Sequence, residues 1–242
     1  MKHTFLLFVT ILHSFWGFTQ ISQKELDDVS FQKITDAQNG TIYGFSMDGK
    51  LIGPSMNIKP DGTTILTYYN KDGLGEGFQM MENPKTGMRL LAEIKDNQLN
   101  GNVFKMTGKQ LDWAQTYKNG KAKKDKGQLF KSQKSNWVNC VGNCADGFGV
   151  SQPSKGNIAM GFHLQGLPIA PVIYIYGKDT YMGDMRKGWR HYFGKYQYNN
   201  DGSFFIGMWE KGKRSGLGMW FEKDGSIREK GYYKKDELIK NM

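Results

Sequence analysis

The chain is poor in residues that staple, kink or catalyse. Its 242 residues include six prolines, two cysteines and four histidines. Two cysteines exclude a disulfide-dense scaffold, which needs several bridges in a short chain. The apolar fraction is only 38%. After the first 19 residues no apolar run approaches the roughly 20 residues of a membrane-spanning helix. Glycine does not recur at every third residue, which excludes a collagen-like chain. Disorder is a poor fit, because disordered chains are short of aromatics, and here they make up 14%. What is abundant is glycine, 31 residues, with 15 Phe, 12 Tyr and 6 Trp. Glycine usage is thus roughly twice the ordinary level of about 7%. Strong glycine, strong aromatics and little aliphatic bulk point to short strands joined by tight turns, an all-β chain. The length suits one large domain or two small ones.

The start reads as a targeting segment. Lys2 precedes the run Phe5 to Phe18, which is apolar but interrupted by His13, Ser14 and Gly17. A short basic region, a short apolar region and small residues at Gly17 and Thr19 describe a signal peptide over residues 1–19, cut near Thr19–Gln20. The expected location is therefore periplasmic, cell-surface or secreted. Removing the segment takes only Lys2 from a formal charge of +10. The remaining charge is uneven, because residues 105–135 hold nine Lys against two Asp.

A repeat organises the rest. Taking Gly44 as position 0, equivalent positions fall at Tyr68, Ala92, Gln115, Asn139, Gly161, Gly183, Gly207 and Gly231, in steps of 22 to 24 residues. Position +5 carries Gly49, Gly73, Asn97, Gly120, Cys144, Gly166, Gly188, Gly212 and Asp236. Most of these residue types tolerate the positive φ of a tight hairpin turn. Position −2 carries Ile42, Leu66, Leu90, Trp113, Trp137, Ala159, Tyr181, Phe205 and Glu229, all but one apolar. Glycine recurs at +9 as Gly53, Gly77, Gly101 and Gly216. Positions −2, 0 and +2 share one face of a strand. Glycine between two bulky residues leaves room for a ring of a neighbouring repeat against bare backbone. Second turns of Asp-Gly type, at Asp61, Asp201 and Asp224, lead to the next unit. Nine units predict roughly sixteen to eighteen strands in one elongated, twisted antiparallel sheet. Residues 20–40 form a lead-in. Ser22 and Glu25 make a capping-box pattern there, and a short helix is expected. Residues 41–124 are divergent repeats, 125–136 a Lys-rich connector, and 137–242 the more regular repeats.

The segment FIGMWEKGKRSGLG, Phe205 to Gly218, resembles a MORN repeat (membrane occupation and recognition nexus) nearly throughout. Tyr181 to Gly194 matches at Tyr181, Gly183, Gly188 and Gly194, but Tyr192 replaces a glycine. Cys140 to Gly149 looks like the cysteine-bearing variant of secreted bacterial members. The resemblance is strong over 137–231 and weak over 41–124. It implies a trough-like sheet of consecutive hairpins. It also implies a role as scaffold, dimerisation module or membrane-binding element, with structural rather than catalytic motif residues.

Candidate sites are few. Cys140 and Cys144 flank an expected turn, and an even count in an exported chain points to a disulfide. Free thiols are a weaker alternative. Zinc is weaker still: His163 and His191, the partners left beyond the leader, give no compact metal spacing. Neither histidine sits in a catalytic motif, although paired carboxylates from distant strands remain an open hydrolase reading. No cofactor motif is present. Lys118, Lys121, Lys123, Lys124 and Lys126 form the densest basic patch, suited to anionic lipid, an acidic polysaccharide or a protein. Expected export argues against nucleic acid. Trp113, Tyr117, Trp137, Tyr181, Phe205, Trp209 and Tyr233 are expected to line one face of the sheet. That face is a candidate groove for a peptide strand, a glycan or a second copy of the chain. Beyond the glycines already named at 0, +5 and +9, Gly218 belongs to the repeat pattern. The expectation is a non-enzymatic exported module binding a protein or envelope component. A peripheral anionic-lipid binder is the alternative, and an envelope hydrolase is weaker.

Overall fold

The computed structural model describes residue 21 and residues 24–124 and 140–242. Trp137, Lys126, Asn139, Ser22, the leader and the 125–136 connector therefore lie outside the described residues. The described chain is all-β. The expected helix is a single 3₁₀ turn at Glu25–Asp27, whose N-cap Lys24 makes no side-chain cap. From Ser30 onward the chain is strand, because residues 30–36 pair in unbroken antiparallel register with the next strand.

The single sheet is corrected to two. The first has nine strands: β1 (Ser30–Asp36), β2 (Gly40–Met47), β3 (Lys50–Ile58), β4 (Thr64–Tyr69), β5 (Gly75–Asn83), β6 (Met88–Lys95), β7 (Gln98–Thr107), β8 (Gln110–Lys118) and β9 (Lys121–Ala122). The second has ten: β10 (Cys140–Gly142), β11 (Phe148–Ser154), β12 (Asn157–Leu164), β13 (Leu167–Tyr176), β14 (Asp179–Arg186), β15 (Trp189–Gln197), β16 (Phe204–Glu210), β17 (Lys213–Phe221), β18 (Ile227–Lys234) and β19 (Glu237–Asn241). Each sheet is an antiparallel meander in sequence order. The second returns over the first in reverse: β3 meets β16 and β17, β5 meets β14 and β15, and β6 and β7 meet β13.

Two sheets form because the strands are apolar on both faces. At position +1, opposite the motif face, stand Phe45, Phe162 and Met208, all buried. That second face needs a layer to cover it, and the other sheet supplies it. The interior joins Phe45, Ile52, Leu66, Phe78, Met80, Leu91 and Phe104 to Phe148, Phe162, Phe193, Ile206, Met219 and Phe221. Phe104 meets Phe148 edge-on at 5.2 Å, and Tyr43 meets Phe221 at 5.5 Å. At roughly 25 cal/mol per Å² of apolar burial, this layer is the main driving force for closure.

On the outer face of the second sheet the register is unusually regular. Gly142, Gly149, Gly161, Val172, Gly183, Gly194, Gly207, Gly218 and Gly231 stand directly opposite one another across nine consecutive strands. The ladder thus passes through Gly142, not Asn139. In the first sheet the same line reads Gly44, Ser55, Thr67, Gln79, Ala92, Val103 and Gln115. Tyr68 is one residue off and points inward. The rings lie on glycines of their own repeat rather than a neighbour's. A Cβ on Gly218 would fall 2.2 Å from Cζ of Phe205, and one on Gly194 would fall 2.5 Å from the Tyr181 hydroxyl.

The turns follow position +5, where Gly49, Gly73, Asn97, Gly120, Gly166, Gly188, Gly212 and Asp236 all have positive φ. Cys144, bonded to Cys140, is the exception. Position +9 holds positive φ at Gly53, Gly77, Gly101 and Gly216, and also at Tyr192, where φ is 53°. The terminal edge of the second sheet is β19. Lys240 of β19 ties back to Asp27 at 2.6 Å.

Gly218→Ala is expected to lower stability by about 1–3 kcal/mol, the range for overpacking a filled site. Chemical denaturation of the purified chain measures it. An unchanged midpoint would show that Phe205 has room to move aside.

Candidate functional site

Four groups of side chains have functional chemistry. The first is the outer face of the second sheet. Tyr181, Phe205 and Tyr233 are fully buried there and Trp209 nearly so. These four residues of the candidate face are therefore core rather than the floor of a groove. The face is also split, because Trp113 and Tyr117 lie on β8 of the other sheet. Trp113 is exposed and Tyr117 packs in a small cluster with Leu90, Ile94 and Val103.

Above the buried rings lies a second tier that sequence reading missed. Tyr174 stacks on Tyr176 at 4.3 Å, Tyr196 meets Tyr198 at 4.7 Å, and Tyr198 stacks on Trp220 at 5.0 Å. Arg190 sits 4.5 Å from the Trp209 ring and 4.6 Å from Tyr196. Arg214 sits 4.7 Å from Trp220 and 5.1 Å from Tyr233. Desolvated cation–π contacts of this kind contribute up to about 2 kcal/mol each. Both arginines stand at +7 of their repeats, and the Tyr-x-Tyr pairs 174/176 and 196/198 recur with the repeat period. That spacing was the available signal. Arg214 is neutralised by Asp236 and Glu229. Arg190 donates to the carbonyl of Gly212 at 2.7 Å. Its Nε and the Nε1 of Trp220 are buried without an acceptor among the described residues.

The second group is a serine–histidine pair. Nε2 of His163 lies 2.9 Å from Oγ of Ser151, and Nδ1 lies 3.1 Å from the carbonyl of Gly161. A carbonyl only accepts, so Nδ1 carries the proton and the serine hydroxyl donates to Nε2. This is nucleophile–base geometry. Ser151 and His163 are, however, 1% and 2% exposed. Burial lowers His163 to about 4, against a smaller upward pull from the Gly161 carbonyl. His191 is remote from this pair, beside Tyr192, and among the described residues no cluster could hold a metal.

The third group joins carboxyls of the two sheets. Glu93 on β6 and Asp184 on β14 both occupy position +1, facing the interior. Oε2 of Glu93 accepts from the Asn102 N–H at 2.6 Å, and Oδ2 of Asp184 accepts from the Phe193 N–H at 3.3 Å. Asn102 also reaches across the sheets to the carbonyl of Ala170 at 3.3 Å. Burial pushes Glu93 up to about 7. Burial and then the neighbouring Glu93 push Asp184 well above the usual carboxylate range. A second crossing, Lys195 to Glu82 at 3.7 Å, is an ion pair, with Arg89 on Glu82 at 2.7 Å.

The fourth group is basic. Lys118, Lys121, Lys123 and Lys124 are all exposed around the β8–β9 turn. Nearby in sequence, Cys140 and Cys144 form the disulfide, which closes the β10–β11 turn. No protein-family model matches the chain, and no curated protein matches it.

The carboxyl pair sets a pH dependence. Between the ordinary carboxyl value and about 7, the folded chain binds more protons at Glu93 than the unfolded chain. Stability therefore falls as pH rises through that window. His163 acts oppositely: its folded value is depressed, so its contribution is lost as pH falls from about 6.5 towards 4. Glu93→Gln keeps an acceptor for Asn102 and removes the ionisation. It is expected to exceed wild type by roughly 1–3 kcal/mol at pH 8 and to match it near pH 4. Denaturant unfolding at the two pH values measures the gap. A gap of equal size at both would place the effect outside ionisation.

Proposed function

We propose that this chain is a non-enzymatic, exported MORN-like module that holds a protein or envelope component on the outer face of its second sheet. The observation that carries this reading is the partly buried arginine–aromatic tier formed by Arg190, Tyr176, Tyr198, Arg214 and Trp220. It offers ring edges and guanidinium groups on a regular meander, while the Arg190 Nε and Trp220 Nε1 N–H groups lie buried beneath them. Rigid aromatic and arginine side chains are the usual anchors of binding surfaces, because they bury area at little entropic cost. The groups able to do chemistry lie elsewhere: Ser151, His163 and Asp184 are buried, and Glu93 is partly buried between the two sheets. A hydrolase would need one of them open to substrate.

A second reading, binding to anionic lipid, draws on the exposed lysines around the β8–β9 turn, each contributing about 1 kcal/mol near an anionic surface.

Affinity capture from an envelope extract with the mature chain tests the first reading. Wild type should retain a component that Tyr198→Ala/Trp220→Ala releases, while the variant keeps its circular dichroism spectrum. Equal retention by both would move the site off this face. Sedimentation with anionic vesicles that is lost in a Lys118/Lys121/Lys123/Lys124→Gln variant would favour the lipid reading instead.

A further inference from the structure

The hairpin turns of the second sheet break a local rule four times at one repeat position, three times with lysine. In seven of the turns, positions +4 and +5 both have positive φ. Asparagine, aspartate and glycine suit the first of these positions, because other side chains crowd the backbone there. The first sheet follows the preference with Asp48, Asp96 and Asn119, at φ of 52°, 51° and 49°. The second sheet places Gln165, Lys187, Lys211 and Lys235 at the equivalent points, at φ of 50°, 51°, 49° and 52°, so three of these four turns carry lysine there. Lysine brings no turn chemistry to offset that disfavoured backbone. A local rule broken repeatedly without structural gain marks a position held for another purpose.

What the three lysines share is placement. They project from consecutive hairpins on one end of the sheet, two strands apart, so their spacing is roughly 9–10 Å. All three are exposed, as are Arg186, Lys213 and Lys234 beside them. Among the described residues none of the three makes an ion pair. The acids on the same turns are Glu210, Asp236 and Glu237, and Asp236 is committed to Arg214 at 3.4 Å. The row is therefore net positive. Trp189 stands within it, 59% exposed. Its ring packs on Gly212 of the next turn, 3.1 Å from where a Cβ would stand, so the indole is braced like a platform while still open to solvent.

We propose that this rim is a docking strip for a linear acidic polysaccharide bearing a carboxylate or sulfate on every second sugar. The charge is complementary, and the lysine spacing is close to the advance of one disaccharide along an extended glycan. The braced indole offers a flat apolar face of the kind on which a sugar ring stacks. A row one residue wide suits a linear chain better than a flat bilayer, which would use apolar residues across a broader surface. The proposal rests on the reading of the chain as a binding module, but places a second site away from the arginine–aromatic tier.

Titration calorimetry of the mature chain with a hyaluronan oligosaccharide tests it, with a dextran fragment of equal length and phosphatidylglycerol vesicles as competitors. The variant Lys187→Asn/Lys211→Asn/Lys235→Asn suits the turns better than wild type, so its melting temperature should hold or rise. Its affinity for the oligosaccharide should fall at least tenfold, Trp189→Ala should also weaken binding, and dextran should not bind. Equal affinity of the triple variant, equal binding of dextran, or binding to the vesicles but not the oligosaccharide would overturn the proposal. If the triple variant still captures the same envelope component as wild type, the module reading stands and the polysaccharide strip alone is judged by the titration.

Discussion

In the second sheet the rings of Tyr181 and Phe205 lie directly on glycine backbone, and most of the architecture depends on that contact. A side chain at Gly183, Gly194, Gly207 or Gly218 would occupy the space the rings fill. Glycine is a poor strand residue, since it has no side chain to pack and loses more freedom on folding. Here the missing packing is supplied by a ring from the same repeat, fully enclosed. Tyr181 then donates its hydroxyl to the Asp184 carbonyl at 2.7 Å, and Trp209 donates its indole N–H to the Gly194 carbonyl at 3.3 Å. Because each unit fills its own outer face, the sheet needs no helix layer on that side.

The opposite face is then free to build the interior. It meets the first sheet through a mostly apolar layer, interrupted by the Lys195–Glu82 ion pair and by Glu93 and Asp184. Buried polar groups of this kind add little net stability, and an unpaired charge is costly. They do tie the sheets at defined points, because each crossing works in one register only. The first sheet lacks most of the glycine ladder, and with Ser55, Thr67 and Gln79 in its place its outer face makes hydrogen bonds instead, as from Gln79 to Thr67 at 3.0 Å.

Much of this was legible in the residues. The all-β class, the hairpin period, the +5 turns and the Cys140–Cys144 bridge follow from turn chemistry and cysteine spacing, which are local. The division into two sheets was not read, although its signal was present: Met182, Phe193, Ile206 and Met208 make the face opposite the glycines apolar too. Reading only the motif face left that second apolar face without a partner. Of the helix expected in the lead-in, the described residues hold one 3₁₀ turn at Glu25–Asp27, and from Ser30 strand pairing takes over. Long-range groups were least legible. Glu93 and Asp184 are 91 residues apart and meet only through the folding back of one sheet on the other. Ser151 and His163 meet across neighbouring strands whose register a bulge shifts. The arginine tier was readable in principle, since Arg190 and Arg214 share a repeat position.

The claim that rings on bare glycine hold the second sheet is tested most directly by a double-mutant cycle between Phe205→Leu and Gly218→Ala, read by denaturant unfolding. If the ring and the glycine fill one space, the alanine should cost much less beside leucine, giving a coupling energy of about 1 kcal/mol or more, within the range for residues in contact. Additive effects, with no coupling beyond a few tenths of a kcal/mol, would contradict the account.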